Sequence, residues 1–226
     1  MSWGKSLEEV QCRTFSFFLS GPRVVTKVAH LSSASRVTCD VSDKDEIANF
    51  AAYIGQQEDH LDMLISNAGI RRDPPVQCNV LTATLTELQQ SMWSSLHSDW
   101  ADTFRVNTTA HYFLSVALLP LLAAASSFDI GGGRLGREEG RGAVIVTSSC
   151  ASMHNVTNID LTSYATSKAG TDHLVRLLAA KFSRFYVRVV GINPGCKHNW
   201  RTAPRANKHR AQGTRANPGV WDSCPE

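Results

Sequence analysis

The chain has 226 residues, 42% of them hydrophobic, enough for one domain with a sizeable core. Its formal charge of +3 is uneven: residues 196–226 hold six Lys/Arg against two Asp/Glu, so the body before them carries −1 and is not built to attract nucleic acid or an anionic membrane. No apolar run approaches the ~20 residues of a membrane span, and FSFFLS at 15–20 is short and follows Glu8 and Glu9, a poor signal-peptide flank.

From residue 36 onward, short apolar runs alternate with amphipathic stretches. RVTCDV (36–41) reads as a strand, followed by a helix with Ser42 as N-cap, Asp45 in the capping-box position, and Ile47, Phe50, Ala51 and Ile54 at helical spacing. LDMLIS (61–66) is a continuous apolar run, as in a strand buried on both faces. A long loop is expected from Ile70 through Pro74-Pro75 to about Leu96. A long helix then starts near Ser98 or Asp99, places Trp100, Phe104, His111, Leu114 and Leu118 toward one side, and is kinked or ended by Pro120. AVIVTSS (143–149) and VRVVGI (187–192) are further strands, and between them a helix carries an apolar stripe of Leu174, Leu177, Leu178 and Phe182. Strands separated by helices imply right-handed crossovers, and hence a doubly wound α/β domain. The Gly-rich segment 126–142 lies between a helix and a strand. A phosphate-cradling loop needs the reverse order, so this one reads as a flexible surface connection. Residues 196–226 lack apolar periodicity and are expected to be disordered. Six scattered cysteines without a C-x-x-C or Cys/His cluster argue against a zinc site and for reduced thiols in a cytoplasmic protein.

Several polar residues stand out against this frame. In LTSYATSKAG (161–170), Tyr164 and Lys168 are four apart and share a helix face. An ammonium beside a phenol favours the phenolate, drawing the tyrosine below its usual pKa of about 10 and fitting it for proton transfer with an alcohol or ketone. Alone, such a pair is more often just a helix surface. Asn107 sits in a strongly apolar helix, where the alternative is a solvated outer face. Ser149 ends a strand at the edge where open α/β sheets bind ligands, though it would also serve as a simple cap. Asn67-Ala68-Gly69 closes another strand at the same edge.

In order, the motifs are far more specific. A strand ending N-A-G, an Asn in the next long helix, a strand ending Ser-Ser, then Y-x-x-x-K, then N-P-G after a further strand resemble the short-chain dehydrogenase/reductase family over residues 37–195. The resemblance implies a Rossmann-like parallel sheet with helices on both faces and an NAD(P)-dependent oxidoreductase interconverting an alcohol and a carbonyl compound. Tyr164 would be the general acid/base, and Lys168 would assist it and hold the nicotinamide ribose. Ser149, as the second serine of its pair, would hydrogen-bond the reacting oxygen. Asn107 would hold a relay water. Asp40, with Val41, would meet the adenine; Asn67, Ala68 and Gly69 would line the cofactor crevice; Pro194 and Gly195 would border the nicotinamide. NADP is favoured over NAD. The partner is a small carbonyl or alcohol substrate, with a homo-dimer or tetramer as in the family, and no nucleic acid or membrane.

Both ends depart from the family pattern. The family places two strands, a helix and a Thr-Gly-x-x-x-Gly-x-Gly pyrophosphate loop ahead of its third strand, whereas residues 1–36 contain only Gly4 and Gly21. The first βαβ unit, ~30 residues, is therefore expected to be missing, with one short strand (VVTKVA) at most before residue 30. The strand at 61–66 would then lose its neighbour, and the pyrophosphate its cradle of backbone N–H groups. After Gly195 no family threonine, lid or last strand is recognisable. The expectation is a truncated or mis-spliced family member, with a catalytically inactive remnant acting through protein association as the alternative reading.

Overall fold

The computed structural model describes residues 14–19, 24–29, 34–154 and 157–195. In chain order its strands are β1 (Thr14–Leu19), β2 (Val24–Ala29), β3 (Ala34–Cys39), β4 (Met63–Ser66), β5 (Asp129–Gly131), β6 (Arg134–Leu135), β7 (Ala143–Thr147) and β8 (Arg188–Ile192). The helices are α1 (Lys44–Gln57), α2 (Leu85–Trp93), α3 (His97–Phe104), α4 (Ala110–Ala117), α5 (Leu119–Ser127) and α6 (Thr162–Phe182). Six strands form one sheet in the order β3-β2-β1-β4-β7-β8, and β5-β6 is a separate hairpin. The architecture is Rossmann-like, with β1, β4, β7 and β8 running parallel.

The N-terminal half of the sheet differs from expectation. β1 and β2 pair antiparallel with Leu19 opposite Val24, and β2 pairs antiparallel with β3, so a meander stands in place of the βαβ unit whose loss the sequence predicts. Two strands precede β3 rather than one. β4 is therefore not orphaned: β1 pairs with it on one edge (Phe15 opposite Leu64) and β7 on the other. Composition hid this, because an antiparallel strand pair needs no glycine loop. The basic tail at 196–226 lies outside the described residues.

Registered pairs place Leu64, Val144 and Val189 on one face of the sheet, all buried. Under them Leu114 of α4, Ile54 of α1 and Leu178 of α6 belong to the same core. The opposite face is less covered: Met63 and Ile65 are half-buried, and Val190 and Ile192 are exposed, so β4 is not buried on both faces.

Helix boundaries follow local chemistry that periodicity alone misplaces. Asp43, not Ser42, caps α1, its carboxylate accepting from the N–H groups of Asp45 and Glu46. The Glu46 carboxylate accepts from the Asp40 N–H, so Asp45 has no capping-box role. The expected loop at 70–96 contains α2, started by a reciprocal capping box between Thr84 and Glu87. The long helix is broken twice. A π-helical turn spans Arg105–Thr109, and a 52° bend separates α4 from α5, where Pro120 lies in the first turn of α5. On α6, Val175, Leu178 and Phe182 are buried, but Leu177 is 45% exposed and lies outside the stripe. Among the described residues no single helix is long and apolar enough to cross a membrane.

Segment 126–142 is an ordered plug rather than a flexible connection. Its β5-β6 hairpin is followed by a 3-10 turn at Gly136–Glu139, and Arg141 is buried against Asp62 at 3.2 Å. A Cβ on Gly136 would sit 2.1 Å from the Ala125 carbonyl oxygen, so the α5 backbone leaves no room for a side chain. We expect Gly136→Ala to destabilise the chain by about 1–3 kcal/mol, read as a lowered urea midpoint. An unchanged midpoint would show that the plug is not packed in this way.

Candidate active site

Three parallel strands, β4, β7 and β8, end on one edge of the sheet, and each is followed by polar residues: Asn67-Ala68-Gly69, Ser148-Ser149 and Asn193-Pro194-Gly195. Backbone pairing continues past the last two strands. Ser148 N–H donates to the Ile192 carbonyl (2.8 Å) and Cys150 N–H to that of Pro194 (3.0 Å), which fixes Ser149 beside the N-P-G turn. Asn193 Nδ2 reinforces this link, lying 3.0 and 3.1 Å from the two Asp172 carboxylate oxygens, 3.1 Å from the Ser149 carbonyl and 3.2 Å from Ser152 Oγ. Burial would raise the Asp172 carboxyl, but hydrogen bonds from Ser148, Ser152 and Asn193 and the charge of Arg176 outweigh it and hold the group below the usual carboxylate range.

A crevice of about 480 Å³ opens at this edge. Asn67, Gly69 and Ser149 line it from the strand ends and Tyr164 and Lys168 from α6, with Pro194 and Gly195 completing the rim. Lys168 is 3% exposed. Its Nζ donates to the Thr147 carbonyl at 2.9 Å and stands 5.9 Å from the centre of the Tyr164 ring. Burial pulls its pKa from an ordinary 10.5 down to about 8, opposed in part by the Asp172 charge. The two serines divide their work. Ser148 is buried and shares its one hydroxyl proton between the Lys168 carbonyl (3.1 Å) and the Asp172 carboxylate, whereas Ser149 Oγ accepts from the Ala151 N–H (3.1 Å), leaving its own proton to donate elsewhere.

Asn107 does not line the crevice but stands directly behind it. The π-helical turn carries it inward to complete burial, which rules out the solvated alternative. Its Oδ1 accepts from the Ile70 N–H (2.7 Å), and its Nδ2 donates to the Ile70 carbonyl (2.9 Å) and to Ser167 Oγ (2.9 Å). One amide thus ties the turn after β4 to the residue preceding Lys168. Gly69, lacking a side chain, leaves the space beside these groups open. A Cβ there would lie 3.3 Å from Lys168 Nζ and 3.5 Å from Asn107 Oδ1.

Asp40, Val41 and Ala68 do not line this crevice. Val41 and Ala68 are buried in the core at 2% and 0% exposure. Asp40 follows β3, and its carboxylate accepts from the Ser42 backbone N–H and hydroxyl. Sequence reasoning missed Thr147, which contributes only a backbone carbonyl and so leaves no side-chain signature. It also missed His111, 0% exposed, whose Nδ1 lies 2.6 Å from Ser66 Oγ. Burial, then the Lys168 charge, push the His111 pKa down to about 3 and keep the ring neutral. Among the described residues no group of three or more His, Cys, Asp or Glu side chains is placed to hold a metal ion.

The chain is similar to known proteins. The Short-chain dehydrogenase/reductase PhomF' of Diaporthe leptostromiformis is 32% identical over 156 residues, covering 69% of this chain and 50% of its own length. The 7alpha-hydroxysteroid dehydrogenase of Escherichia coli (strain K12) is 26% identical over 173 residues, 76% of this chain and 55% of the relative. The chain thus spans about half the length of these curated relatives. Among solved structures, the Pseudomonas aeruginosa RhlG/NADP active-site complex superposes with a TM-score of 0.54 at 25% identity, covering 70% of this chain and 51% of the other. A metagenomic short-chain oxidoreductase in complex with NADP gives a TM-score of 0.50 at 26% identity, covering 69% and 57%. A family model described as short chain dehydrogenase matches residues 20–209, reaching beyond both ends of the stretch that carries the motifs, and the chain belongs to that family.

Proposed function

We propose that this chain is an oxidoreductase of the short-chain dehydrogenase type, interconverting an alcohol and a ketone or aldehyde with a nicotinamide dinucleotide. The observation that carries this reading is the convergence of Ser149, Tyr164 and a desolvated Lys168 on one crevice. In the reducing direction, the Tyr164 hydroxyl gives its proton to the carbonyl oxygen while Ser149 donates a hydrogen bond to the same oxygen. The Lys168 ammonium, held by Thr147, favours the negative charge left on the phenol oxygen. Asn107 acts as a positioning residue, and its Oδ1 is the proposed seat of the relay water beside Lys168. The dinucleotide supplies the hydride when bound.

The nicotinamide end of such a cofactor suits the residues present. Lys168 Nζ has one described backbone acceptor for its three protons, and Gly69 leaves the space beside it open. Tyr164 and Lys168 would hold the ribose, with Asn67, Pro194 and Gly195 around the ring and Asp40 and Val41 toward the adenine. For the pyrophosphate the described residues offer no strand-to-helix turn after β1, because β1 runs into an antiparallel partner. Affinity for the whole dinucleotide is therefore expected to be modest, with NADP preferred over NAD. That same feature favours the second reading, a remnant acting through association. The exposed Tyr112, Val116 and Leu177 on α4 and α6 offer a surface for pairing into a dimer or tetramer. Action on a small molecule in the cytoplasm completes the proposal.

Calorimetry with NADPH and NADH tests the reading. Saturable micromolar binding to the folded chain is expected, weakened in Lys168→Met. Tyr164→Phe should lower carbonyl reduction by about 10²–10⁴-fold. A folded chain that binds neither dinucleotide is not an active dehydrogenase.

Lys168 makes a separate prediction about pH. Its folded pKa near 8 lies below the ordinary 10.5, so between these values the unfolded chain binds more protons. Stability from this group therefore rises with pH across that window, and below about pH 8 the full cost of burying the ammonium remains. NMR of ¹⁵N-labelled lysines should show one amine titrating near 8, absent in Lys168→Met. Titration of every lysine above pH 10 would mean the ammonium is solvated.

A further inference from the structure

A second cavity, of about 260 Å³, adjoins the crevice. Leu88 and Met92 of α2 and Val80 ahead of it form one wall; Ile159 and Leu161 form another, and Ala165 at the start of α6 closes the base. The two outer walls are stitched together by Val80 N–H donating to the Asn158 carbonyl at 2.9 Å. Ser91, buried on the same helix, anchors α2 by donating from Oγ to the Val76 carbonyl at 2.9 Å. The cavity is thus held open by hydrogen bonds rather than left between loosely packed loops. His154 and Leu161 line both this cavity and the crevice that holds Tyr164 and Ser149. The two spaces therefore share a wall. His154 Nδ1 is itself buried without a hydrogen-bond partner among the described residues.

We infer that this cavity is a subsite for the body of the substrate, and that the substrate is a carbonyl compound, or the matching alcohol, carrying an apolar ring system next to the reacting carbon. The inference rests on the oxidoreductase reading for the reaction but on α2 and its neighbours for the substrate class. Size sets the class: ~150 Å³ holds a benzene ring, and 260 Å³ holds a larger or fused one. Chemistry agrees, since the wall contributed by α2 is aliphatic and includes a methionine, which adapts to ring edges and faces. Thr157, Asp160, Thr162 and Thr166 complete the lining, so the cavity also accepts a hydroxyl substituent on the ring but repels an anionic body.

The test is calorimetric binding of 2-acetylnaphthalene and of butanone to the full chain, with Leu88→Trp and Met92→Trp as variants that fill the cavity from α2. The ring ketone is expected to bind roughly tenfold to a hundredfold more tightly than butanone, and either variant should remove most of that advantage. Equal affinities in the parent chain overturn the inference, and this comparison stands even if neither variant folds. Retention of the advantage in a folded variant overturns it too. Because the readout is binding, a chain that binds the ring ketone but never reduces it refutes the oxidoreductase reading alone. A chain that reduces butanone and the ring ketone with equal affinity for both refutes the subsite alone.

Discussion

The buried amide of Asn107 is the constraint on which the site depends. A primary amide taken out of water must find partners for both of its protons and its oxygen. Here the partners come from two directions, the backbone of Ile70 and the hydroxyl of Ser167. Satisfying the amide therefore fixes the turn after β4 against the helix that carries Tyr164 and Lys168. Thr171 adds to the tie, its hydroxyl donating to the Asn107 carbonyl at 2.6 Å. A regular α-helix would present residue 107 at a different angle. The π-helical turn at Arg105–Thr109, with more residues per turn, supplies that change, an irregularity common at functional sites. Sequence, local geometry and site are linked through this one side chain.

Lys168 shows how a fold holds a charge in a nearly dry place. Among the described residues its ammonium makes no ion pair with a carboxylate; its near neighbours are the Thr147 carbonyl and the Tyr164 ring. Asp172, one helical turn further on, is occupied with Asn193 and the serine cluster. The ammonium is therefore poised rather than neutralised, which suits a group meant to bias the charge of a neighbour. A direct ion pair there would have fixed the proton balance of the site and removed that bias.

Much of this was legible in the sequence. The order of strands β3, β4, β7 and β8, the helix with Tyr164 four residues ahead of Lys168, and the shared edge of the N-A-G, Ser-Ser and N-P-G segments all follow from apolar runs and turn residues. What escaped had physical causes. α2 was hidden among prolines and polar residues, although the Thr84-x-x-Glu87 capping box was there to be read. Asp43 displaced Ser42 as a cap because its carboxylate reaches two N–H groups. Segment 126–142 looked flexible because glycine marks mobility and close packing alike, and the approach of the α5 backbone to Gly136 and Gly142 separates the two. The role of Thr147 rests on a backbone atom common to every residue type. The meander of β1 and β2 eluded a search for a glycine-rich loop because it replaces the crossover that such a loop would open.

That meander alters how the molecule can assemble. In a sheet made only of crossovers, each strand must wait for a helix of a dozen or more residues to fold back before it finds its neighbour. Here the three strands from Thr14 to Cys39 meet through short connections, with Leu19 opposite Val24 and Ala29 opposite Ala34. Hairpins close in microseconds, and contacts near in sequence form ahead of distant ones. The β1-β2-β3 ribbon is thus placed to form as a unit early, exposing the free edge of β1 as a template on which β4, arriving with α1, completes the parallel half of the sheet.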